Sequence, residues 1–187
     1  GTSLHSLFVA NGVVFVMDGD TLNYLDGDTL TPLITGLAGD KVSYEKVGNW
    51  LFLADGTYKK SVYIPDKTEC DWGCAIPTAA PTVADSGSGG NPDGTYQCYY
   101  RHKITLPDGT IIRTALSPSA EVTVATNKIS WSDLVHSTFT GATTIEVELF
   151  RTKTGFAATY LVATVASGTT TYDDDISEEP ISSCSEQ

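Results

Sequence analysis

The sequence predicts an all-β protein in two parts, and three observations lead to that prediction. Thr, Val and Tyr suit half-buried pleated surfaces better than helices, and the chain has 26 Thr and nine Tyr among its 187 residues. Short apolar runs alternate with Gly-containing turn signals along most of the chain. A Pro- and Ala-rich segment at residues 76–82 is interpreted as an extended linker between regions of different strand pattern.

The first part, residues 1–75, is predicted to contain propeller-like antiparallel hairpins. Between residues 8 and 63, short strands are separated by Asn-Gly and Asp-Gly pairs, which favour type I′ turns because the central residues take positive φ. The stretch Val-Phe-Val-Met-Asp-Gly at 14–19 recurs 37 residues later as Leu-Phe-Leu-Ala-Asp-Gly at 51–56. A strand-containing unit with a period of about 40 residues is typical of a β-propeller blade. Since a closed ring takes about four to eight blades, the segment is predicted to be a propeller fragment, blades completed by another chain, or a small hairpin sheet.

Residues 76–176 are predicted to form an antiparallel β-sandwich of the fibronectin type III or immunoglobulin kind. Alternation over 95–105 places one set of side chains on a common face, namely Tyr96, Cys98, Tyr100, His102 and Ile104. Alternation over 144–152 directs Ile145, Val147 and Leu149 inward and Glu146, Glu148 and Phe150 outward. Further strands are expected at 111–116, 121–125, 159–166 and 169–172, which gives the roughly seven short strands of a sandwich. Residues 85–94 are expected to form a flexible loop, only 130–137 could form a helical turn, and 177–187 are expected to be an acidic C-terminal tail.

The charge balance argues against a nucleic-acid-binding role. The formal net charge is −12, from 11 Lys and Arg against 23 Asp and Glu. A protein that grips phosphate backbones needs clustered cations, so no sequence-specific nucleic-acid partner is expected. The longest apolar run, residues 13–17, is far shorter than the roughly 20 residues of a membrane-spanning helix. No membrane partner is therefore expected.

Metal binding is not predicted, although one acidic motif occurs twice. Asp-Gly-Asp-Thr-Leu occurs twice, eight residues apart, and supplies Asp18, Asp20, Asp26 and Asp28 as candidate calcium ligands. The carboxylate at the twelfth EF-hand position and the Gly-Gly start of the nonapeptide calcium repeat are missing, so hairpin turns are the favoured interpretation. Cysteines at 70, 74, 98 and 184 lack the paired short spacings of a zinc site. A Cys70–Cys74 disulfide and buried thiols both stay open on spacing alone.

Catalysis is not predicted either, and no cofactor or small-molecule substrate is expected. The chain has three histidines and no Gly-x-Ser-x-Gly elbow. Glu146 and Glu148 could pair as glycosidase carboxylates, but an exposed sheet face explains them more simply. Trp50, Trp72 and Trp131, together with the tyrosines, could form a sugar-stacking platform. A secreted or cell-surface carbohydrate-binding module is therefore the alternative function.

A series of short motifs adds a family resemblance. In order they are 71–73 (Asp-Trp-Gly), 76–77 (Ile-Pro), 81–83 (Pro-Thr-Val), 94–99 (Gly-Thr-Tyr-x-Cys-Tyr), 116–119 (Leu-Ser-Pro-Ser), 145–152 (Ile-x-Val-x-Leu-Phe-Arg-Thr) and 170–174 (Thr-Thr-Tyr-Asp-Asp). Together they resemble the fibronectin type III-like domain that follows propeller-like repeats in tail nozzle, hub and related virion proteins of tailed bacteriophages.

The resemblance implies a non-enzymatic structural subunit of a phage virion. Such a protein is made in the host cytoplasm and assembles with copies of itself and with other virion proteins. Six residues are assigned structural roles on this basis, namely Trp72, Gly73, Tyr96, Cys98, Arg151 and Tyr172. We expect Trp72 to be a buried joint, Gly73 to adopt a backbone angle that other residues resist, and Cys98 to be a buried small hydrophobe. The unclosed edges of the hairpins at 8–63 are the expected interface between subunits.

Overall fold

The computed structural model describes residues 3–125 and 127–178, and these residues form 16 β-strands without any helix. The all-β prediction is confirmed. The chain divides into two units. The first unit comprises Gly1–Gly73 with the short segments Pro107–Gly109 and Phe139–Ala142, and the second comprises the remainder. Within the described ranges, no helix is long and apolar enough to cross a membrane.

The first unit contains two four-stranded antiparallel sheets in which consecutive strands are neighbours. The first sheet consists of β1 (Leu4–Ala10), β2 (Val13–Asp18), β3 (Thr21–Asp26) and β4 (Thr29–Ile34). The second sheet consists of β5 (Ser43–Val47), β6 (Trp50–Ala54), β7 (Lys59–Tyr63) and β8 (Thr68–Asp71). The 37-residue repeat in the sequence thus corresponds to β2 and β6, the second strand of each sheet.

Two kinds of tight turn connect these strands. Asn11 and Gly12 have φ of 50° and 79°, as a type I′ turn requires of its two central residues. The Asp-Gly turns differ from the prediction, because Asp18 pairs directly with Thr21 and belongs to the strands. The central residues are therefore Gly19 and Asp20, of which only Gly19 has positive φ, at 59°. A glycine at the first central position is typical of a type II′ turn.

The two sheets of the first unit share one hydrophobic core. The buried residues of that core are Ala10, Phe15, Met17, Leu22, Ile34, Leu37, Leu51, Leu53, Val62 and Ile64. From β2 the core receives Phe15 and Met17, whereas from β6 it receives Leu51 and Leu53. Leu51 and Leu53 are the repeat equivalents of Val14 and Val16, not of Phe15 and Met17. We call the face that carries Phe15 and Met17, and its repeat equivalent in the second sheet, the front, and the opposite face the back. The front of the first sheet therefore packs against the back of the second sheet.

The second unit is a β-sandwich. Its strands are β9 (Thr82–Ser88), β10 (Gly94–Thr105), β11 (Ile111–Arg113), β12 (Ala120–Val124), β13 (Asn127–Ser132), β14 (Thr144–Thr152), β15 (Thr159–Ala166) and β16 (Tyr172–Asp174). The larger sheet has the order β11-β10-β14-β15, with β12 also paired to β10, and the smaller sheet has the order β16-β13-β9. Tyr96, Tyr100 and Leu149 from the larger sheet pack with Ile129 and Trp131 from the smaller one in a single core.

The smaller sheet corrects two sequence predictions. Residues 85–88 belong to β9 rather than to a flexible loop, and 130–132 belong to β13 rather than to a helical turn. The two strands pair with each other, from Asn127 opposite Ser88 to Ser132 opposite Thr82. Residues 129–132 do alternate, since Ile129 and Trp131 are buried and Ser130 and Ser132 are half-buried. Residues 85–88, Asp-Ser-Gly-Ser, have no apolar member, so their strand conformation depends on the partner supplied by the fold.

The alternation predicted for β10 is confirmed, since all five side chains from Tyr96 to Ile104 on its inner face are buried. For β14 the outward assignment of Glu148 and Phe150 was too simple, because both side chains are buried. Arg101 covers this part of the outer surface, with its guanidinium 4.9 Å from the Phe150 ring centroid. Long side chains from neighbouring strands thus cover the outer face here, so an outward direction in the alternation does not imply exposure.

Candidate functional site

A buried polar network is centred on Arg151, which has no exposed surface. The Arg151 Nε donates to Asp174 Oδ2 at 2.6 Å, and Nη2 donates to Asn91 Oδ1 at 2.6 Å and to the Ile176 carbonyl at 2.8 Å. The Tyr96 ring lies beneath the guanidinium, 5.1 Å from it. Asn91 and Asp174 are also fully buried. The network therefore ties the segment before β10 and the end of β16 to the C-terminal end of β14.

Opposing effects act on the Asp174 carboxyl. Burial raises its pKa above the usual value, and the Arg151 guanidinium and the Ile176 N–H offset only part of that rise. Asn91 donates through Nδ2 to the Asp174 carbonyl at 2.7 Å, so its side chain both accepts and donates. With each charge and amide matched by a partner, the constellation is suited to holding strands together.

The other predicted structural residues of the sandwich lie near this network. The Tyr96 hydroxyl donates to the Pro92 carbonyl at 2.7 Å and accepts from the Thr154 hydroxyl at 2.9 Å. Tyr172 pairs with Trp131 across β16 and β13 and packs against the core while half-buried. Cys98 is fully buried as predicted, and burial raises the pKa of its thiol to about 12.

Trp72 and Gly73 follow β8 at the end of the first unit's long segment, and only the prediction for Gly73 is confirmed. Gly73 has φ of 99°, a conformation that a residue with a Cβ adopts only with strain. Trp72, however, is 49% exposed, so its prediction as a buried joint is wrong. Its ring finds one packing partner, Phe52, with ring centroids 5.2 Å apart. The indole directly follows β8, the last strand of its sheet, and is half-exposed there.

Trp72 belongs to an aromatic cluster on the second sheet, together with Trp50, Phe52 and Tyr63. The Trp50 indole N–H donates to Asp108 Oδ2 at 2.8 Å, and Asp108 lies in a segment of the first unit. Trp131 is buried in the core of the second unit. Its indole face is therefore inaccessible to a sugar, and the stacking platform considered from sequence reduces to the exposed Trp72.

The paired glutamates of β14 form ion pairs. Glu148 is almost fully buried beneath Arg101 and Arg113, whose Nε atoms lie 2.6 and 3.0 Å from its carboxylate. Glu146 lies 2.8 Å from Lys103 Nζ. These cations lie on the neighbouring strands β10 and β11. The glutamates thus serve as cross-strand ion-pair partners.

The calcium candidates lie at hairpin turns, as the favoured interpretation proposed. Asp20 and Asp28 are central turn residues, and Asp18 and Asp26 end the preceding strands. Across residues 3–125 and 127–178, no three His, Cys, Asp or Glu side chains are grouped so as to hold a metal ion. Cys70 is a free buried thiol, so the disulfide with Cys74 considered from the spacing is not formed. Cys184 lies outside the described residues.

Two structural residues were missed by the sequence analysis. Asp55 accepts backbone N–H bonds from Ala38 at 2.7 Å, Thr57 at 3.0 Å and Tyr58 at 2.7 Å, and thereby ties the β6–β7 turn to the connection between the sheets. Burial alone would raise the pKa of Asp55, but these three donors outweigh it and hold the pKa below its usual value. The Asp-Gly motif could have indicated a turn role, but not the bond to Ala38.

The sequence pattern places His102 on the common face of residues 95–105 but indicates no partner for its ring. Its ring is buried, with Nδ1 3.2 Å from the Ala75 carbonyl and Nε2 3.0 Å from the Val135 carbonyl. These contacts connect two irregular segments to β10. The imidazole therefore has a bridging role in the fold.

An apolar row lies on the face of the first sheet opposite to Phe15 and Met17. Val9 opposes Val14, Leu25 opposes Leu30, and Val14 and Leu25 lie one residue beyond the Phe15–Tyr24 pair. These four side chains form a row across all four strands, and the exposed Leu7 precedes Val9 on β1. We call these five residues the outer face. Apolar patches of this kind mark sites of protein contact.

The comparisons with known proteins add no assignment. No protein-family model matches the chain, and no curated protein matches it.

Proposed function

We propose that the chain is a non-enzymatic structural subunit of a bacteriophage virion, located in the tail, which assembles with copies of itself and with other virion proteins. The observation that carries the proposal is a strongly acidic chain with open sheet edges and an exposed apolar surface. The candidate calcium and glycosidase carboxylates lie at turns or in ion pairs, and the His102 ring contacts backbone carbonyls. Those features favour assembly over chemistry, and the ordered series of motifs resembles tail proteins in particular.

In finer detail, we propose that the two four-stranded sheets are propeller-like repeats and that the sandwich is of the fibronectin type III kind. Support for the first comes from the 37-residue repeat and the front-against-back packing of the sheets. Support for the second comes from the two-sheet sandwich and the motifs distributed along its strands.

The proposed contacts between subunits are β-pairing along the edges of the first sheet, supplied by β1 and β4. The net charge of −12 opposes association, so contacts must be apolar or hydrogen-bonded. An acidic ring would also suit a DNA conduit, because a negative lumen repels the phosphate backbone and lets DNA pass without sticking.

Sedimentation at increasing protein concentration, combined with electron microscopy, tests this proposal. We expect an oligomer in the form of rings or tubes whose stability rises with salt, because ions screen repulsion beyond about 8–10 Å. A monomer at high concentration, with and without added salt, would contradict both the subunit role and the lumen.

The alternative, a secreted or cell-surface carbohydrate-binding module, is favoured by one observation, the exposed Trp72 ring on its aromatic cluster. A glycan array probed with the chain and with Trp72→Ala distinguishes the two. Glycan retention that is lost in the variant supports the binding module, whereas absence of retention supports the structural role.

A further inference from the structure

The repeated sheets differ in what covers their backs. In the second sheet, the core-facing apolar residues include Tyr44, Leu51, Leu53 and Val62. Their counterparts 37 residues earlier are Leu7, Val14, Val16 and Leu25. Leu51, Leu53 and Val62 are fully buried, whereas Leu7 is 67% and Leu25 40% exposed. Val16 is buried like its counterpart Leu53, and Val14 is half-buried. The first sheet is therefore open at Leu7 and Leu25 and partly open at Val14, where the second sheet is covered.

The structure also shows what covers such a surface. The back of the second sheet packs against the front of the first, which presents Phe15 and Met17 two residues apart on β2. Phe8 on β1 extends this front and stacks on Tyr44 with ring centroids 5.2 Å apart. The contact is directional, since one front meets one back. A back of the same pattern therefore fits another front of the same pattern.

A second copy of the chain does not offer a free front. Its Phe15 and Met17 are fully buried in its own core. The front of its second sheet carries Phe52 and Ala54 at the equivalent positions, and segments of the same unit obstruct it. Asp108 accepts the Trp50 indole N–H there, and the Gly141 carbonyl lies 3.6 Å from Cys70 Sγ.

We propose that the outer face is the docking site for a further four-stranded antiparallel sheet of the same 37-residue type, whose second strand presents two large apolar side chains two residues apart. The docked sheet packs its front on the row of Val9, Val14, Leu25 and Leu30, as the first sheet packs on the second. No charged side chain lies in that row, so the contact is apolar. The inference goes beyond the proposed virion role and does not depend on it.

The test supplies such a sheet. A second copy of residues 4–40, one repeat period, is joined directly to residue 4, so that the protein consists of 4–40 followed by 4–187. The Phe15–Met17 front of the added copy can then reach the native outer face at the spacing that relates the two native sheets. Leu25→Cys is introduced in the native sheet but not in the added copy. The rate at which this cysteine is alkylated then reports whether the outer face is covered. Alkylation of the native cysteines is measured in the same chain without the substitution.

We expect the added copy to slow alkylation at position 25 at least about tenfold, because Val62, the equivalent position in the second sheet, is fully buried. The matched control carries Phe15→Ser and Met17→Ser in the added copy only, and it should leave the rate unchanged. Hydrogen exchange should show protected amides in the added copy but not in the control.

An added copy that is folded but leaves alkylation at the control rate overturns the proposal. So does an added copy whose amides stay unprotected, since the native outer face is the surface on which it must fold. A third outcome concerns the chain without extension. If alkylation at position 25 is slow in concentrated protein and accelerates on dilution as a dimer dissociates, a second copy occupies the face and the proposed occupant is wrong.

Discussion

Removal of the Arg151 guanidinium is the most direct test of what holds the sandwich together. In Arg151→Met the buried carboxylate of Asp174 loses its cation, and Asn91 Oδ1 and the Ile176 carbonyl lose a donor. Breaking a buried ion pair from one side costs about 3–5 kcal/mol, because the remaining charge stays desolvated and unpaired. We expect a loss of unfolding free energy in that range for the second unit, measured by urea denaturation with circular dichroism.

Two further variants separate the charge effect from packing. In Arg151→Met/Asp174→Leu no buried charge remains, so we expect much of the loss to be recovered, leaving about 1–3 kcal/mol for the unsatisfied Asn91 amide. Arg101→Met is the matched control, because Glu148 keeps Arg113 as a partner and Arg101 is partly exposed. That control should cost about 1 kcal/mol or less. An Arg151→Met variant as stable as the Arg101→Met variant would refute the reasoning.

Four further predictions concern single side chains. Trp131→Ala should lower the free energy of unfolding by about 3–5 kcal/mol, because the indole is fully buried. Trp131→Phe should cost only about 1–2 kcal/mol, because the buried indole N–H has no hydrogen-bond partner to lose, and urea denaturation compares the two variants. Trp72→Ala should cost only about 1–2 kcal/mol in the same assay, since half of the indole is already exposed, and a larger loss would contradict that placement. Because the pKa of Asp55 is lowered in the folded chain, its stabilising contribution is present above the unfolded-state pKa of about 4 and is lost as pH falls through the folded-state pKa. Asp55→Asn should therefore lower the free energy of unfolding at neutral pH by about 1–3 kcal/mol. Thermal denaturation as a function of pH should show a smaller loss of stability on the acid side for this variant. Burial raises the pKa of Cys98 to about 12 and that of Cys70 to about 11, so iodoacetamide at pH of about 8 should leave both unmodified in the folded chain, as peptide mass mapping can determine.

The sequence alone determined those features that depend on neighbours a few residues away. The limits of β14 and β15 agree with the segments 144–152 and 159–166 predicted from alternation, because period-two patterns of β-branched and aromatic residues specify a strand locally. The turn at Asn11 and Gly12 follows from the same kind of local signal, since both residues tolerate positive φ. The repeat that relates the two sheets is also detectable from the sequence alone, as the similarity of residues 14–19 and 51–56.

Only the tertiary structure decided which segments pair and which faces are covered. Residues 85–88 of β9 carry a weak local signal and become part of a strand because β13 lies beside them, as the register pair Ile129 and Asp85 shows. The partner of Arg151 lies 23 residues away in sequence, beyond the reach of any periodicity argument. The exposure of a side chain also depends on residues that are distant in sequence. Glu148 is buried because Arg101 and Arg113 on neighbouring strands cover it, whereas Trp72 is half-exposed at the end of its sheet. Burial and pairing are properties of the packed layers, whereas alternation reports only which side of one strand a residue occupies.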